Sequence, residues 1–187
     1  LTVRLIERDE AACAAALDRV RGVLDGSRQR GLLSEDGLAA AMDRLTVGSD
    51  YDALSDADLV IEAVFEDMDV KKAVFAELDR VTRPDAVLAS NTSYLDVNEI
   101  ARASADPSRV LGLHFFSPAH VMKLLELVVS DTAAPDVLAT GLALGKKLRK
   151  ITVPAGVCDG FIGNRIMSAY RRECDYMIEE GALPEQV

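Results

Sequence analysis

Apolar residues along this chain follow two alternating patterns. Short runs of consecutive apolar and β-branched residues predict strands, most of them buried. Between most of these runs, apolar residues recur at intervals of three and four, which predicts amphipathic helices. Strands that alternate with helices are typical of an α/β fold with a mainly parallel sheet. The predicted strands are residues 2–7, 45–50, 58–64, 86–93, 110–116, 123–129 and 150–157.

Local signals refine this pattern. The connection between the predicted strands at 110–116 and 123–129 is too short for a helical crossover, so we expect that pair to be antiparallel. Ser34, followed by two acidic residues, is a typical residue to cap the start of a helix. Gly141 and Gly145 lie one turn apart in a later predicted helix, where they favour close packing.

Composition excludes several classes of protein. The 187 residues suffice for a domain with a sizeable core, and the net charge of −10 argues against a nucleic-acid-binding groove. Three cysteines without a CxxC spacing fit a reducing compartment and predict no zinc site. Because no apolar run approaches a membrane span and no signal peptide is recognisable, we expect a cytoplasmic protein.

Polar residues gather at the predicted strand ends. In open α/β sheets, ligands bind beside the carboxyl ends of the parallel strands, which are here Glu7, residues 63–66, residues 90–93 and His114. An acidic residue like Glu7 can accept hydrogen bonds from the ribose of NAD, or it can simply be solvated. The sequence contains no GxGxxG, so we expect a first strand and its glycine-rich loop to precede Leu1.

The sequence "GLHFFSPAHVMKLLELVV" (112–129) places one of only two histidines, and a glutamate, in apolar surroundings. A buried ionised carboxylate is costly without a partner. A histidine alone, such as His114, is more often a core residue than a catalyst. Its pairing with Glu126 favours catalysis, because a carboxylate bonded to one ring nitrogen fixes the tautomer and raises the basicity of the other. "SNTS" (90–93) can be a helix-capping turn, and Asn164 a helix-start residue.

With these pieces in place, the chain resembles the L-3-hydroxyacyl-CoA dehydrogenase family from Val3 to Val187. The resemblance rests on "DLVIEAVFEDMDVKK", "ASNTSYL", "GLHFFSPAHVMKLLELV" and "VCDGFIGNRIMSAYRRE", whose order and spacing are strongly specific together. Ser117 is similar to the form in multifunctional β-oxidation enzymes, which fuse an enoyl-CoA hydratase to the dehydrogenase. Many single-function members have asparagine there.

The resemblance implies an NAD-dependent oxidation of (S)-3-hydroxyacyl-CoA to 3-oxoacyl-CoA. It implies that His114 is the catalytic base and that Glu126 orients it. It further implies that Ser93 and Asn164 bind substrate, and that Arg30, less surely with Arg28, contacts the CoA phosphates. With the strand ends, it gives a cofactor-binding set of Glu7, Ala63, Val64, Glu66, Lys71 and Asn91.

The resemblance also implies a domain organisation. Residues 1–157 should form a Rossmann-like, mostly parallel-sheet domain with a helical hairpin insertion, lacking the first strand and its glycine loop. Residues 158–187 should begin an all-helical domain for substrate binding and homodimer formation. The family strand order puts the missing strand in mid-sheet. We therefore expect a gap or a rearranged sheet there, and expect these 187 residues alone to be inactive and unable to bind NAD.

Two other interpretations stay open. The first is an NAD-dependent dehydrogenase of a hydroxy acid without CoA, which substitution of Arg28 and Arg30 would distinguish. The second is a non-catalytic assembly domain, against which the intact set of Ser93, His114, Glu126 and Asn164 argues.

Overall fold

The computed structural model describes residues 1–187, which divide into two compact units, residues 1–56 and 57–187. The first unit contains β1 (Val3–Ile6), α1 (Glu10–Gln29), α2 (Glu35–Met42) and β2 (Leu45–Gly48). The second contains β3 (Leu59–Glu62), α3 (Met68–Val81), β4 (Val87–Ser90), α4 (Val97–Ala101), β5 (Val110–Phe115), β6 (Leu124–Val129), α5 (Pro135–Lys147), β7 (Ile151–Gly156) and α6 (Gly163–Glu179).

In the first unit, β1 and β2 form a parallel pair in which Val3 lies opposite Leu45. Ser34 caps α2 as predicted, since its hydroxyl accepts a hydrogen bond of 3.0 Å from the amide of Gly37. The prediction of a buried strand at β1 was wrong, because Val3 is 46% exposed. β1 has a hydrogen-bonded neighbour on one edge only, so less of its surface is covered.

The second unit is built on a five-stranded sheet of order β3-β4-β5-β6-β7. Its neighbours are parallel except for the antiparallel pair of β5 and β6, which confirms the prediction from the short connection. β3 is an edge strand, and Ile61 is 38% exposed, so the prediction that β3 is strongly buried was wrong. The main core cluster is Val87, Ala89, Leu111, Leu113, Leu125, Leu127 and Val137.

The strands form two sheets, β1-β2 and β3-β4-β5-β6-β7. β1 and β3 are not hydrogen-bonded to one another, and no rearranged strand pairing joins them. The expectation that a strand and its glycine loop precede these residues stays a prediction. The width of the expected gap stays a prediction.

Helix α5 packs closely on the second sheet through its two glycines. A Cβ atom on Gly141 would lie 2.6 Å from Leu127 Cδ1, and one on Gly145 would collide with the Thr152 hydroxyl. The predicted close packing is therefore confirmed.

Helix α6 follows a tight turn in which Gly160 adopts a φ of +67°, a conformation that favours glycine. Its apolar side chains are largely exposed, with Ile166 at 65% and Tyr170 at 62%. The predicted domain boundary at residue 157 stays a prediction, because the two compact units divide instead between residues 56 and 57. No helix of this structure is both long enough and apolar enough to span a membrane.

Candidate active site

His114 and Glu126 lie directly opposite each other on the antiparallel strands β5 and β6. The distance between His114 Nδ1 and Glu126 Oε2 is 2.7 Å, and both residues are buried. The predicted contact between neighbouring strands is thereby confirmed, while its role in catalysis stays a prediction. Because Nδ1 is bound to the carboxylate, Nε2 is the ring nitrogen through which His114 can exchange a proton with a ligand.

The second carboxylate oxygen of Glu126 binds the start of α6. Glu126 Oε1 accepts hydrogen bonds from the amides of Ile162 at 2.9 Å and Gly163 at 2.7 Å. The helix has no capping side chain of its own, so Glu126 supplies the cap from another element. The partial positive charge of the helix start in turn favours the ionised carboxylate. Sequence reasoning missed this role, although an apolar residue at the capping position (Ile162) signals that the cap comes from elsewhere.

Aromatic rings surround the imidazole. The ring centroid of His114 lies 4.5 Å from that of Phe116 and 5.7 Å from that of Phe161, and both pairs are tilted. Phe161 is buried, and it precedes the turn of backbone that Glu126 binds. Apolar cover of this kind strengthens the electrostatic contact between the imidazole and the carboxylate, because it excludes water.

A second buried carboxylate, Glu62, lies at the end of β3. Its Oε1 accepts hydrogen bonds from Lys71 Nζ at 2.8 Å and from the amide of Val64 at 2.7 Å, and its Oε2 accepts one from Ser90 Oγ at 2.7 Å. Sequence reasoning missed Glu62, because it treated the residue as part of an apolar strand. Its signal was a charged residue inside "LVIEAV", which requires a partner if the strand is buried.

Lys71 links Glu62 to Glu66. The Lys71 ammonium lies 3.3 Å from Glu66 Oε2, and its side chain is 1% exposed. Glu66 and Lys71, two residues of the predicted cofactor-binding set, therefore form an ion pair. The ammonium is occupied by these carboxylates inside the protein, and direct contact of Lys71 with a cofactor stays a prediction.

Glu66 holds the turn that carries Ser93. Its Oε1 accepts hydrogen bonds from Thr92 Oγ1 at 2.6 Å, from the Ser93 amide at 2.8 Å and from the Tyr94 amide at 3.2 Å. Burial raises the pKa of Glu66, but the hydrogen bonds from Thr92 and Ser93 and the charge of Lys71 outweigh it, so the pKa lies below its ordinary value. Glu66 is thus ionised at neutral pH and fixes the backbone beside Ser93.

Two asparagines connect the strand ends. Asn91 Oδ1 accepts a hydrogen bond of 2.8 Å from the amide of Phe115, which ties the end of β4 to the end of β5. Asn164 Nδ2 donates a hydrogen bond of 3.4 Å to the carbonyl oxygen of Ser93. The structure thus brings together the two predicted substrate-binding residues, Ser93 and Asn164. It also puts Asn164 next to Gly163, which binds Glu126.

Ala63 and Val64 follow β3 on the exposed side of this cluster. The Val64 carbonyl lies 3.5 Å from Lys71 Nζ. Both residues lie at the carboxyl end of a parallel strand, as predicted, and their contact with a cofactor stays a prediction.

The remaining predicted residues belong to the first unit. Glu7 follows β1, and its amide binds the carbonyl of Gly48 at 2.9 Å. Arg28 forms ion pairs with Asp25 at 3.2 Å and Glu35 at 3.3 Å. Arg30, at the end of α1, is exposed and forms no ion pair, which leaves its guanidinium available. The roles of these three residues stay predictions.

A mostly parallel sheet with a buried imidazole–carboxylate pair at its strand ends defines a Rossmann-like α/β protein of the dehydrogenase type. Residues 1–158 match the family model described as 3-hydroxyacyl-CoA dehydrogenase, NAD binding domain. The chain belongs to this family.

Similar proteins agree with this assignment. The chain is 44% identical to the peroxisomal bifunctional enzyme of Homo sapiens over all of its 187 residues, which are 26% of that protein. FadB2 of M. tuberculosis is 39% identical with a TM-score of 0.96, over 100% of this chain and 67% of that one. For 3-hydroxybutyryl-CoA dehydrogenase of Escherichia coli, the identity is 37% and the TM-score 0.93, over 97% of this chain and 39% of that one. The chain spans about a quarter of the length of the curated relatives it matches.

Proposed function

We propose that this chain is the NAD-binding part of an enzyme that oxidises (S)-3-hydroxyacyl-CoA to 3-oxoacyl-CoA in fatty-acid β-oxidation. The observation that carries the proposal is the 2.7 Å contact between His114 Nδ1 and Glu126 Oε2 at the strand ends. The family match and the similarity to 3-hydroxybutyryl-CoA dehydrogenase of Escherichia coli support it.

The histidine acts as the base in this proposal. Its Nε2 accepts the proton of the substrate hydroxyl, and the Glu126 carboxylate stabilises the imidazolium that forms. Glu126 is already held by two backbone amides, so it needs no rearrangement when the proton arrives. Such preorganised charge is a large source of rate enhancement.

The strand ends fit a dinucleotide cofactor. Ala63 and Val64, which follow β3, are exposed, and Asn91 follows the end of β4. A carboxylate in the position of Glu7 suits the ribose hydroxyls of NAD and repels the extra phosphate of NADP. When bound, NAD supplies the acceptor for the hydride from substrate C3. These 187 residues contain no GxGxxG, the sequence that binds the pyrophosphate of a dinucleotide.

Substrate is held by the remaining residues of the set. Ser93 and Asn164, which are already hydrogen-bonded to each other through the Ser93 carbonyl, orient the substrate oxygens. Arg30 has a free guanidinium that suits a CoA phosphate. A hydroxy acid without CoA is the competing substrate class, because the same dyad would serve it.

The test uses the full-length protein and measures NADH formation from (S)-3-hydroxybutyryl-CoA and from free 3-hydroxybutyrate. We expect turnover of the CoA ester and little of the free acid. Arg30→Gln should raise KM for the ester about tenfold, the effect of losing one charged contact. Arg19→Gln, which removes another exposed arginine of α1, is the control and should leave KM unchanged. Equal use of both substrates would support the non-CoA alternative, and no turnover of either would support an assembly domain.

A longer, multifunctional protein is the second part of the proposal. The relatives named bifunctional or multifunctional support fusion to an enoyl-CoA hydratase. The exposed apolar face of α6 fits the first helix of a further helical domain through which two copies associate. Hydration of an enoyl-CoA by the full-length protein, and its mass by light scattering, test these points. A monomer without hydratase activity would contradict them.

The compartment is the third part of the proposal. We expected a cytoplasmic protein, whereas the curated relatives are named peroxisomal or glyoxysomal. The names of the relatives therefore favour an organelle, while the absence of paired cysteines fits either location. Fractionation of cells that express the full-length protein distinguishes the two.

A further inference from the structure

We propose that Gly163 is a positioning residue for the His114–Glu126 pair, because only a residue without a side chain lets Phe116 and the first turn of α6 hold both partners at once. The proposal rests on the proposed role of the pair in catalysis. It adds a residue that acts through Glu126 and Phe116 and not by contact with the reacting atoms of the substrate.

Gly163 contacts Glu126 directly and lies against Phe116, the ring that packs on His114. Its amide donates to Glu126 Oε1 at 2.7 Å. A Cβ atom at this position would lie 2.7 Å from Phe116 Cζ and 3.1 Å from Phe116 Cε1. A separation below 3.0 Å is not tolerated between carbon atoms, so any side chain at residue 163 forces a displacement.

The displacement has two possible directions, and each affects the dyad. If Phe116 moves, it shifts the ring that packs 4.5 Å from the imidazole of His114. If α6 moves instead, the amides of Ile162 and Gly163 withdraw from Glu126 and uncap the helix. Either movement alters the contact between Glu126 and His114, because one carboxylate group binds both His114 and the start of α6.

The start of α6 depends on Glu126 for its side-chain cap. The helix has no capping side chain of its own, so the Glu126 carboxylate is its only acceptor of that kind. The next residue, Asn164, donates a hydrogen bond of 3.4 Å to the Ser93 carbonyl. The same turn therefore also positions the side-chain amide of Asn164, a predicted substrate-binding residue. Small shifts of reacting groups lower rates strongly, by up to about a hundredfold for roughly 1 Å.

The experiment is a double-mutant cycle in the full-length protein with Gly163→Ala and Phe116→Leu. Leucine lacks the distal ring atoms that a Cβ atom at residue 163 would meet. We expect Gly163→Ala alone to lower kcat about tenfold or more with KM for NAD unchanged. In the Phe116→Leu background, the same substitution should cost about twofold or less, because the collision is gone.

Gly156→Ala is the matched control, since no atom lies within 4 Å of a Cβ placed there. It should leave kcat unchanged. A Gly163→Ala protein that behaves like Gly156→Ala, or one whose loss of kcat is equal in both backgrounds, would overturn the proposal.

If Gly163→Ala does not fold, Phe116→Leu alone is decisive. It should lower kcat about threefold through the loss of ring packing on His114, and an unchanged kcat would overturn the proposal.

A spectroscopic measurement separates this proposal from the proposed function. The ¹⁵N resonances of the His114 imidazole, assigned by their loss in His114→Gln, report which ring nitrogen carries the proton. We expect Gly163→Ala to change them and Gly156→Ala to leave them unchanged. This readout remains valid even if the wild-type protein does not oxidise hydroxyacyl-CoA, a result that would contradict only the proposed function.

Discussion

Two glutamates, Glu62 on β3 and Glu126 on β6, have side chains that are completely buried, and the oxygens of both accept hydrogen bonds. They differ in what they face. Glu62 faces the ammonium of Lys71, which lies 2.8 Å from its Oε1. Glu126 faces two backbone amides and an imidazole, a group that can take up and release a proton.

The partner decides what a buried carboxylate can do. The charge of Glu62 is already compensated by Lys71, so the interactions of Glu62 stabilise the packing of β3, β4 and α3. Glu126 is held by partial charges only, so it retains an attraction for a proton that arrives at the histidine. From this difference we expect substitutions at the Glu126 pair to affect turnover and substitutions at the Glu62 pair to affect stability.

The largest expected effect is that of His114→Gln. Removal of a general base costs about 10²- to 10⁴-fold in kcat. Affinity for NAD should stay nearly intact, since the cofactor-side residues are untouched. Steady-state kinetics of the full-length protein measures this, with His120→Gln as the control because His120 is the other histidine of the chain and is exposed. Equal losses in both variants would contradict the assignment of the base.

Glu126→Gln should lower kcat about 10- to 100-fold, the value of a hydrogen bond to a charged group. Glutamine can still accept from the amides of α6, so the helix start should survive. It cannot compensate the imidazolium, and it can turn its amide group toward His114. Kinetics and circular dichroism measure the two effects, with Glu77→Gln as the control, because Glu77 is a partly exposed carboxylate paired with Arg80 on α3. Unfolding together with loss of activity would mean that Glu126 is chiefly structural.

The sequence predicted the dyad but only part of the network around it. His114 and Glu126 lie close in the chain and on one hairpin, where the strand register brings them opposite each other. Contacts over longer separations, such as Glu126 to Gly163 and Glu66 to Ser93, depend on packing between elements that no local pattern encodes. Burial of β1 and β3 was overestimated for a related reason, because an apolar run does not reveal how many neighbours its strand has.

At the other carboxylate, Lys71→Met should lower the free energy of unfolding by about 3–5 kcal/mol. It leaves Glu62 buried without a cation, and breaking a buried pair by removing one partner costs this much. Denaturant unfolding, followed by a signal from the second unit, measures the change.

The control for Lys71→Met is Lys72→Met, which removes the ammonium paired with Glu99 at 2.5 Å in a partly exposed position. Exposed pairs contribute about 0–1 kcal/mol, so this variant should change stability little. A Lys71→Met protein that keeps its stability but loses turnover would break the comparison, because it would give the Glu62 pair a direct part in the reaction.

The smallest expected effect concerns Glu66, the partly exposed carboxylate that shares Lys71 with Glu62. Burial raises its pKa, but hydrogen bonds from Thr92 and Ser93 and the charge of Lys71 bring the pKa below the ordinary 4.5. Ionised Glu66 therefore contributes stability that is fully present above about that pH and is lost as the pH falls through the lower folded-state pKa. Glu66→Gln should flatten the fall in stability on acidification, measured by denaturant unfolding between neutral pH and about pH 3. An equally steep fall in the variant would mean that Glu66 contributes no such pH dependence.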